Sequence, residues 1–190
     1  DPNADPWVVI GQDKPELYND VAVFCLDRTY GRSQWFFYPD ELGEKDLKIT
    51  GIRLHYTASD DCDMLTEVPL GVRMCSTDRG ALIDGGYAEY NESFEDQDNM
   101  TVVFDGVVDL SGSSDMTNVL EIRLDKTFEY DSTKNLLVEF DKEWDETYSK
   151  ILWHMDINPK YAERFSEYED AWGDLIPYGR GGFYNYHVPY

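Results

Sequence analysis

Apolar and polar residues alternate with a period of two along many short stretches of this chain. In the clearest case, Ile52, Leu54 and Tyr56 alternate with the polar residues Arg53, His55 and Thr57 between positions 48 and 59. In the same way, Leu120, Ile122 and Leu124 alternate with Glu121 and Arg123. Successive side chains of a β-strand point to opposite faces, so this pattern predicts a strand with one buried face. The other segments with an alternating or short apolar pattern are 7–10, 21–26, 34–38, 71–75, 101–110, 119–124, 136–140, 150–155 and 181–188.

Turn-forming residues separate these predicted strands, for example Ser-Gly-Ser-Ser at 111–114 and Asp-Ser-Thr at 131–133. The strands follow one another about every ten to fifteen residues, and no regular helix lies between them. This spacing predicts an all-β fold, namely a single antiparallel β-sandwich, jelly-roll-like and of about ten strands, over residues 21–190. Residues 1–20 are rich in proline and acidic residues, and they are predicted to form an extended leader with one short strand at 7–10.

One segment, 158–172, carries a helical signal instead. Asn158 would cap this helix and Pro159 would occupy its first position. Its large aromatic residues recur at spacings typical of one helical face: Tyr161, Phe165, Tyr168 and Trp172. A short helix is therefore predicted near 158–172, and a strand is the alternative that this segment leaves open.

Four aromatic residues, Trp, Phe, Phe and Tyr, follow one another at 35–38. If this segment is a strand, two of the four side chains must point away from the core. They either pack beneath a second layer of the protein or form an exposed aromatic platform that binds a ligand.

The composition restricts the partners of the chain. It holds 39 Asp and Glu against 16 Lys and Arg, a formal charge of −23. Nucleic acids and anionic lipid surfaces both attract basic protein surfaces, so this charge argues against either partner. Disorder does not explain the acidity, because 42% of the residues are hydrophobic and can form a core. The apolar runs are too short for a transmembrane segment.

The sequence contains no strong signal for enzymatic chemistry. HExxH, G-x-S-x-G, Walker A and G-x-G-x-x-G motifs are absent, and the three histidines are interpreted as surface residues. Cys25, Cys62 and Cys75 include no CxxC pair and are interpreted as small buried residues, with a Cys62–Cys75 disulfide as the alternative. We therefore expect a protein without catalytic activity.

One predicted loop carries three carboxylates close together, from Asp60, Asp61 and Asp63. Calcium is bound by carboxylate and carbonyl oxygens, and a loop supplies both. This loop is therefore a candidate calcium site. A solvated acidic loop without an ion is the alternative, because the residues do not follow the EF-hand pattern.

Several stretches resemble a known type of module. Tyr-Gly-Arg-Ser-Gln at 30–34, Asp-Glu-Leu at 40–42 and Ile-Thr-Gly-Ile at 49–52 resemble the opening of β-sandwich modules in surface and secreted proteins of Bacteroidetes. Val-Phe-Asp-Gly at 103–106 resembles a hairpin of these modules, and residues 120–138 resemble their I-x-L, F-x-Y and N-L-L-V run. The resemblance implies an exported, adhesin-like module beside other domains of a larger chain, with no catalytic residues to transfer.

Aromatic rings beside amide, carboxylate and guanidinium groups are typical of glycan sites, because sugars present C–H faces and hydroxyl groups. The predicted ligand-binding residues combine these groups: Trp35, Trp172, Tyr178, Arg180, Tyr184 and Asn185. The sequence thus predicts a non-catalytic extracellular module that binds a glycan or a host or matrix protein. A structural spacer that docks a neighbouring domain is one alternative. A β-sandwich glycoside hydrolase with two carboxylates across a cleft is the other.

Overall fold

The structure of the chain is a computed structural model. The residues that the structure describes are 7–8, 16–18, 23, 26, 29–58, 62–79, 95–112, 117–144, 151–157, 163–169, 175–178 and 187–189. They form eleven strands and one short 3₁₀ helix at Gln97–Asn99. The strands are β1 Glu16–Tyr18, β2 Tyr30–Phe37, β3 Leu47–Ala58, β4 Cys62–Thr77, β5 Thr101–Gly112, β6 Asn118–Tyr130, β7 Asn135–Glu143, β8 Ile151–Ile157, β9 Glu163–Glu169, β10 Leu175–Tyr178 and β11 His187–Pro189.

The strands form two antiparallel sheets. In the first sheet the order is β1-β8-β3-β6, and β11 also pairs with β8. In the second sheet the order is β10-β9-β2-β7-β4-β5. The all-β prediction is therefore confirmed, and the architecture is that of a β-sandwich.

One hydrophobic core lies between the two sheets and takes side chains from both. Leu54 and Tyr56 enter it from β3, as the alternation predicts, and Tyr56 packs edge-to-face on Trp153 with ring centroids 5.7 Å apart. Trp35 and Val72 enter it from the second sheet. Burying each large apolar side chain contributes roughly 1.5–3 kcal/mol, so the shared core is the main reason that the sheets stay together.

The predicted helix near 158–172 is wrong for residues 163–169, which form β9. This strand pairs with β2 on one side and with β10 on the other. Aromatic residues favour strands over helices when a sheet edge is available, and β2 supplies that edge. The rest of 158–172 lies outside the described residues.

Two local predictions need correction. The strand in the leader is Glu16–Tyr18, which pairs with β8, whereas Trp7 and Val8 are not in a strand. The Val-Phe-Asp-Gly segment at 103–106 does not turn but runs through β5. There a Cβ atom at Gly106 would lie 3.1 Å from Cζ of Phe104, so the glycine accommodates the aromatic ring beside it.

Candidate functional site

The aromatic run at 35–38 divides between the two faces of β2. Trp35 points inward, is 0% exposed, and donates from its indole nitrogen to Oγ of Ser33 over 2.9 Å. Phe36 points outward, where it packs edge-to-face against Tyr38 with ring centroids 5.2 Å apart. The prediction that Trp35 stacks on a ligand is wrong, because the core encloses its ring. The alternative, packing beneath a second layer, is confirmed.

That second layer is the segment 95–100, which we call the strap. It crosses the outer face of the second sheet and carries the 3₁₀ helix. Met100 of the strap forms a small separate hydrophobic cluster with Phe36, Cys75 and Leu137, and Tyr38 packs against its edge. The strap thus turns an outward face of the sheet into a second buried layer.

A fully buried carboxylate, Glu139 on β7, lies beside this cluster. Its Oε2 accepts hydrogen bonds from Nε of Arg32 over 2.7 Å and from Nε2 of Gln34 over 2.8 Å. Its Oε1 accepts from Nη1 of Arg73 over 3.2 Å and from Nε2 of Gln97 over 2.6 Å. A buried charge is tolerated when it is paired and hydrogen-bonded, and four donors from two other strands and the strap meet that condition here.

The strap is attached to the sheet mainly through Glu95. The side-chain amide of Gln34 donates to the backbone carbonyl of Glu95 over 2.9 Å and accepts from the backbone N–H of Glu95 over 2.7 Å. The amide thus makes the two hydrogen bonds that the backbone of a neighbouring strand would make. The Glu95 carboxylate accepts hydrogen bonds from Arg79 over 3.3 Å and from Asn99 over 2.8 Å. The strap therefore closes this part of the outer face, and the charged groups beneath it bind one another.

Arg73 and Asp141 extend the same network along the sheet. Burial lowers the pKa of Arg73, but the hydrogen bond and charge of Asp141 and the charge of Glu139 raise it more, so the net direction is upward. Gly71 faces Asp141 across β4 and β7, and a Cβ atom there would collide with the Asp141 carboxylate. The missing side chain at Gly71 gives this carboxylate the space to reach Arg73.

The outer face of the first sheet is built differently. Trp7, from the leader, packs over Gly51, where a Cβ atom would lie 3.4 Å from its ring. The guanidinium of Arg53 stacks on the same indole, 3.8 Å from a ring centroid. Arg53 donates to Oε2 of Glu121 from Nε over 3.0 Å and from Nη2 over 2.8 Å, and Arg123 donates from Nε to Oε1 over 3.3 Å. One glutamate thus bridges two arginines beside a tryptophan.

We call this surface the Trp7 face, defined by Trp7, Arg53, His55, Glu121 and Arg123. The register of β3 and β6 places Arg53 opposite Glu121. The Arg123 side chain is 89% exposed and that of Glu121 is 33% exposed, so the groups are accessible to solvent. Hydrogen bonds from both arginines lower the pKa of Glu121, and burial together with the charge of Arg53 lowers the pKa of His55. At neutral pH the face presents a carboxylate, two guanidinium groups and a neutral imidazole.

A comparison of the chain with protein-family models, with curated proteins and with solved structures found no match. No relative therefore indicates a function for the site, and its geometry is the basis for inferring one. No helix in the described part of the chain has the length and hydropathy of a membrane span.

The other predicted site residues are not brought together by the described part of the structure. Tyr178 lies in β10 and Asp63 lies in β4. For both residues the structure describes the backbone only. The remaining ones lie outside the described residues altogether: Trp172, Arg180, Tyr184, Asn185, Asp60 and Asp61. Within the described ranges, no group of three or more His, Cys, Asp or Glu side chains is placed to hold a metal ion. Calcium at 60–63 stays a prediction.

The structure decides between a buried thiol and a disulfide for Cys75. Cys75 is a free thiol buried beneath the strap, so the Cys62–Cys75 disulfide is wrong. Burial is the largest cause that raises the pKa of this thiol to about 11, and the charge of Glu95 adds to it. The thiol is therefore protonated and unreactive while the strap is in place.

Sequence reasoning missed the role of Trp7. The polar sides of β3 and β6 were predicted correctly, with Arg53 and His55 on one strand and Glu121 and Arg123 on the other. A signal was available in Gly51, because a glycine on a polar strand face leaves room for a ring from elsewhere. Its occupant comes from a leader more than forty positions earlier, which strand periodicity does not reveal.

Proposed function

We propose that this chain is a non-catalytic binding module and that its ligand surface is the Trp7 face. One observation carries the proposal: Arg53, Glu121 and Arg123 form a hydrogen-bonded row beside Trp7 on a strand face open to solvent. Tryptophan and arginine are the residues that most often dominate binding energy at protein surfaces. On the outer face of the second sheet, the strap covers the corresponding charged group, so Glu139 is not accessible to a ligand.

The environments of two glutamates, Glu41 and Glu139, support a binding function over glycoside hydrolysis. A hydrolase needs a proton-donating carboxyl across a cleft from a second carboxylate. Glu41 has a pKa raised to about 7, chiefly by burial, but it accepts a hydrogen bond from the backbone of Tyr38 within its own turn. Glu139 is enclosed by four donors. Both carboxyl groups are therefore held by donors within the fold itself.

The setting of the module follows from the sequence resemblance. Modules of this type in Bacteroidetes are carried by exported, adhesin-like proteins, and we propose an extracellular or cell-surface location with neighbouring domains in the same chain. A glycan or a host or matrix protein is then the partner. The alternative, a spacer, would use the Trp7 face to dock a neighbouring domain instead of a ligand.

The test is a binding screen with matched variants on the same face. The purified chain is applied to a glycan array and to immobilised matrix proteins, and hits are repeated with Trp7→Ala, Arg123→Ala and Thr127→Ala. Thr127 is exposed on β6 and is not part of the hydrogen-bonded row of Arg53, Glu121 and Arg123, so its variant is the control. We expect the first two variants to lose binding and the control to keep it. Binding that survives both changes would place the ligand elsewhere, and the proposal would fail.

A further inference from the structure

We infer that the ligand of the Trp7 face is an uncharged glycan chain. This inference rests on the proposed function and adds the chemical class of the ligand. Three properties of the face carry it: an anchored aromatic plane, a row of groups that both donate and accept hydrogen bonds, and a small local charge on a strongly acidic chain.

The aromatic plane is held in place before a ligand arrives. Trp7 lies over Gly51, and the Arg53 guanidinium stacks on its indole at 3.8 Å. Arg53 is itself fixed by two hydrogen bonds to Glu121. A pre-positioned ring costs little conformational entropy on binding. Trp7 is partly exposed, so the ring face opposite Arg53 is where the C–H face of a pyranose would stack.

The polar row beside the ring matches hydroxyl groups. A hydroxyl both donates and accepts hydrogen bonds, so it is best recognised by alternating donors and acceptors. Arg123 is bound to Glu121 through Nε alone among the bonds described, and its side chain is 89% exposed toward solvent. Glu121 contributes carboxylate oxygens between the two arginines, and His55 lies on the same strand face as Arg53. Donors and acceptors therefore alternate along the two strands.

Charge separates an uncharged glycan from an anionic one. Two arginines and one glutamate leave the row with a single net positive charge, whereas the whole chain carries −23. The field of the chain repels a polyanion over distances comparable with the screening length, about 10 Å at 0.1 M salt. One local positive charge does not offset that repulsion for a polymer that bears a carboxylate on every sugar.

The face also lacks the apolar centre that a protein partner requires. Stable protein interfaces have a buried apolar core with a polar rim. Among the described residues, the large apolar side chains that are exposed are Val8, Val102, Val107 and Val119. Of these, Val119 pairs with His55 on β3, while Val102 and Val107 lie on β5 of the other sheet. Val8 follows Trp7 in the leader, and two valines do not form an apolar interface core.

The experiment is isothermal titration of the full chain with named oligosaccharides. The uncharged probes are cellohexaose, xylohexaose, mannohexaose and laminarihexaose, and the anionic probe is hexagalacturonate. Each is titrated at low and high salt, about 0.05 M and about 0.5 M, because only charge-dependent binding weakens strongly with salt. The variants are Trp7→Ala, Trp7→Phe, Arg123→Ala and the control Thr127→Ala, and circular dichroism verifies that each is folded.

We expect an uncharged probe to bind with an affinity that changes less than about twofold with salt. Trp7→Ala should weaken it about tenfold or more, Trp7→Phe less, and Thr127→Ala not at all. Tighter, salt-sensitive binding of hexagalacturonate would overturn the inference, and so would a blank result with all four uncharged probes. If those probes fail while a matrix protein binds in a Trp7-dependent way, the glycan class is wrong and the proposed function stands. If no partner depends on Trp7, both fail.

Discussion

The outer faces of the two sheets both join arginines to a glutamate, but they differ in burial. On the second sheet, Glu139 is fully buried and Arg32 is 15% exposed. On the first sheet, Glu121 is 33% exposed and Arg123 is 89% exposed. Similar chemistry therefore serves different roles. A buried pair holds strands and the strap together, whereas an exposed pair contributes little to stability and is accessible to a ligand.

The difference arises from what covers each face. The strap has a buried partner in Gln34, whose amide takes both backbone hydrogen bonds of Glu95. It also has an apolar layer beneath it, formed by Phe36 and Leu137. The open face has outward-pointing charges along β6 and a tryptophan that covers only part of β3. Coverage requires apolar area in addition to polar contacts, because hydrogen bonds alone add little net free energy.

The largest expected effect comes from removing the buried carboxylate. Glu139→Ala should lower the free energy of unfolding by about 3 kcal/mol, because it leaves Arg32 and Arg73 without their buried acceptor. The matched change on the open face, Glu121→Ala, should have a much smaller effect, since its pairs are solvated. Urea unfolding of both variants measures the contrast. Equal losses for the two would show that burial does not separate the faces.

The second effect is steric and is confined to the covered face. Gly71→Ala should cost about 1–3 kcal/mol, because its Cβ displaces the Asp141 carboxylate from Arg73. In an Asp141→Ala background the same change should cost less, since the colliding group is gone. A double-mutant cycle from urea unfolding gives the coupling. Additive costs would mean that the alanine is destabilising for a reason other than Asp141.

Sequence patterns predicted most of the first sheet and part of the second. Period two identified Leu54 and Tyr56 on β3 as inward and Arg53 as outward, because each residue there has a simple buried or solvated environment. The same rule predicted that the aromatic side chains at 35–38 divide between the two faces of their strand. It did not say that Phe36 would be covered by Met100, because that contact joins segments more than sixty positions apart. Nonlocal coverage is invisible to a local period.

The candidate site shows the same limit. The arginines and the glutamate on β3 and β6 were correctly predicted to be polar and outward, but they were not recognised as a site. Trp35 was predicted instead, because it begins a run of four aromatic residues, two of which had to point away from the core. At β9, an aromatic spacing compatible with a helix was overridden by pairing with β2. In both cases, contacts between segments distant in sequence determined the structure.

The third effect is a difference in how the free energy of unfolding depends on pH near the covered face and on the open face. Burial raises the pKa of Glu41, in the turn after the covered aromatic run, from 4.5 to about 7. A raised carboxyl pKa stabilises the fold below the unfolded value, and this contribution is lost as the pH rises toward about 7. Relative to Glu41→Gln, the chain should therefore lose about 1 kcal/mol between about pH 4.5 and about pH 7, after allowance for solvent screening.

The open face should respond with the opposite sign. Hydrogen bonds from Arg53 and Arg123 lower the pKa of Glu121, so its contribution is present above the unfolded pKa and is lost as the pH falls through the folded one. Chemical unfolding of wild type, Glu41→Gln and Glu121→Gln from about pH 3 to about pH 7 compares them, because the Glu121 contribution changes only below about pH 4.5. The assignment of Glu41 would be wrong if Glu41→Gln and the wild type kept a constant difference.

The smallest effect concerns how tightly the strap closes. In a Cys25→Ser, Cys62→Ser background, Cys75 is the remaining thiol, and it reacts with a labelling reagent only when the layer above it opens. Asn99→Ala removes one hydrogen bond to the Glu95 carboxylate without changing charge. It should speed labelling about threefold to tenfold while global unfolding changes little, because local opening and global unfolding are separate equilibria.

Asp98→Ala is the control for this measurement, since Asp98 is an exposed strap residue and the loss of its side chain leaves the Glu95 contacts intact. It should leave the labelling rate unchanged. The urea dependence of labelling gives the second readout, because local opening exposes little surface and so has a shallow slope. A slope equal to that of global unfolding would mean that the strap opens only when the whole sandwich does. The covered face would then be part of the main core and no longer a separate layer.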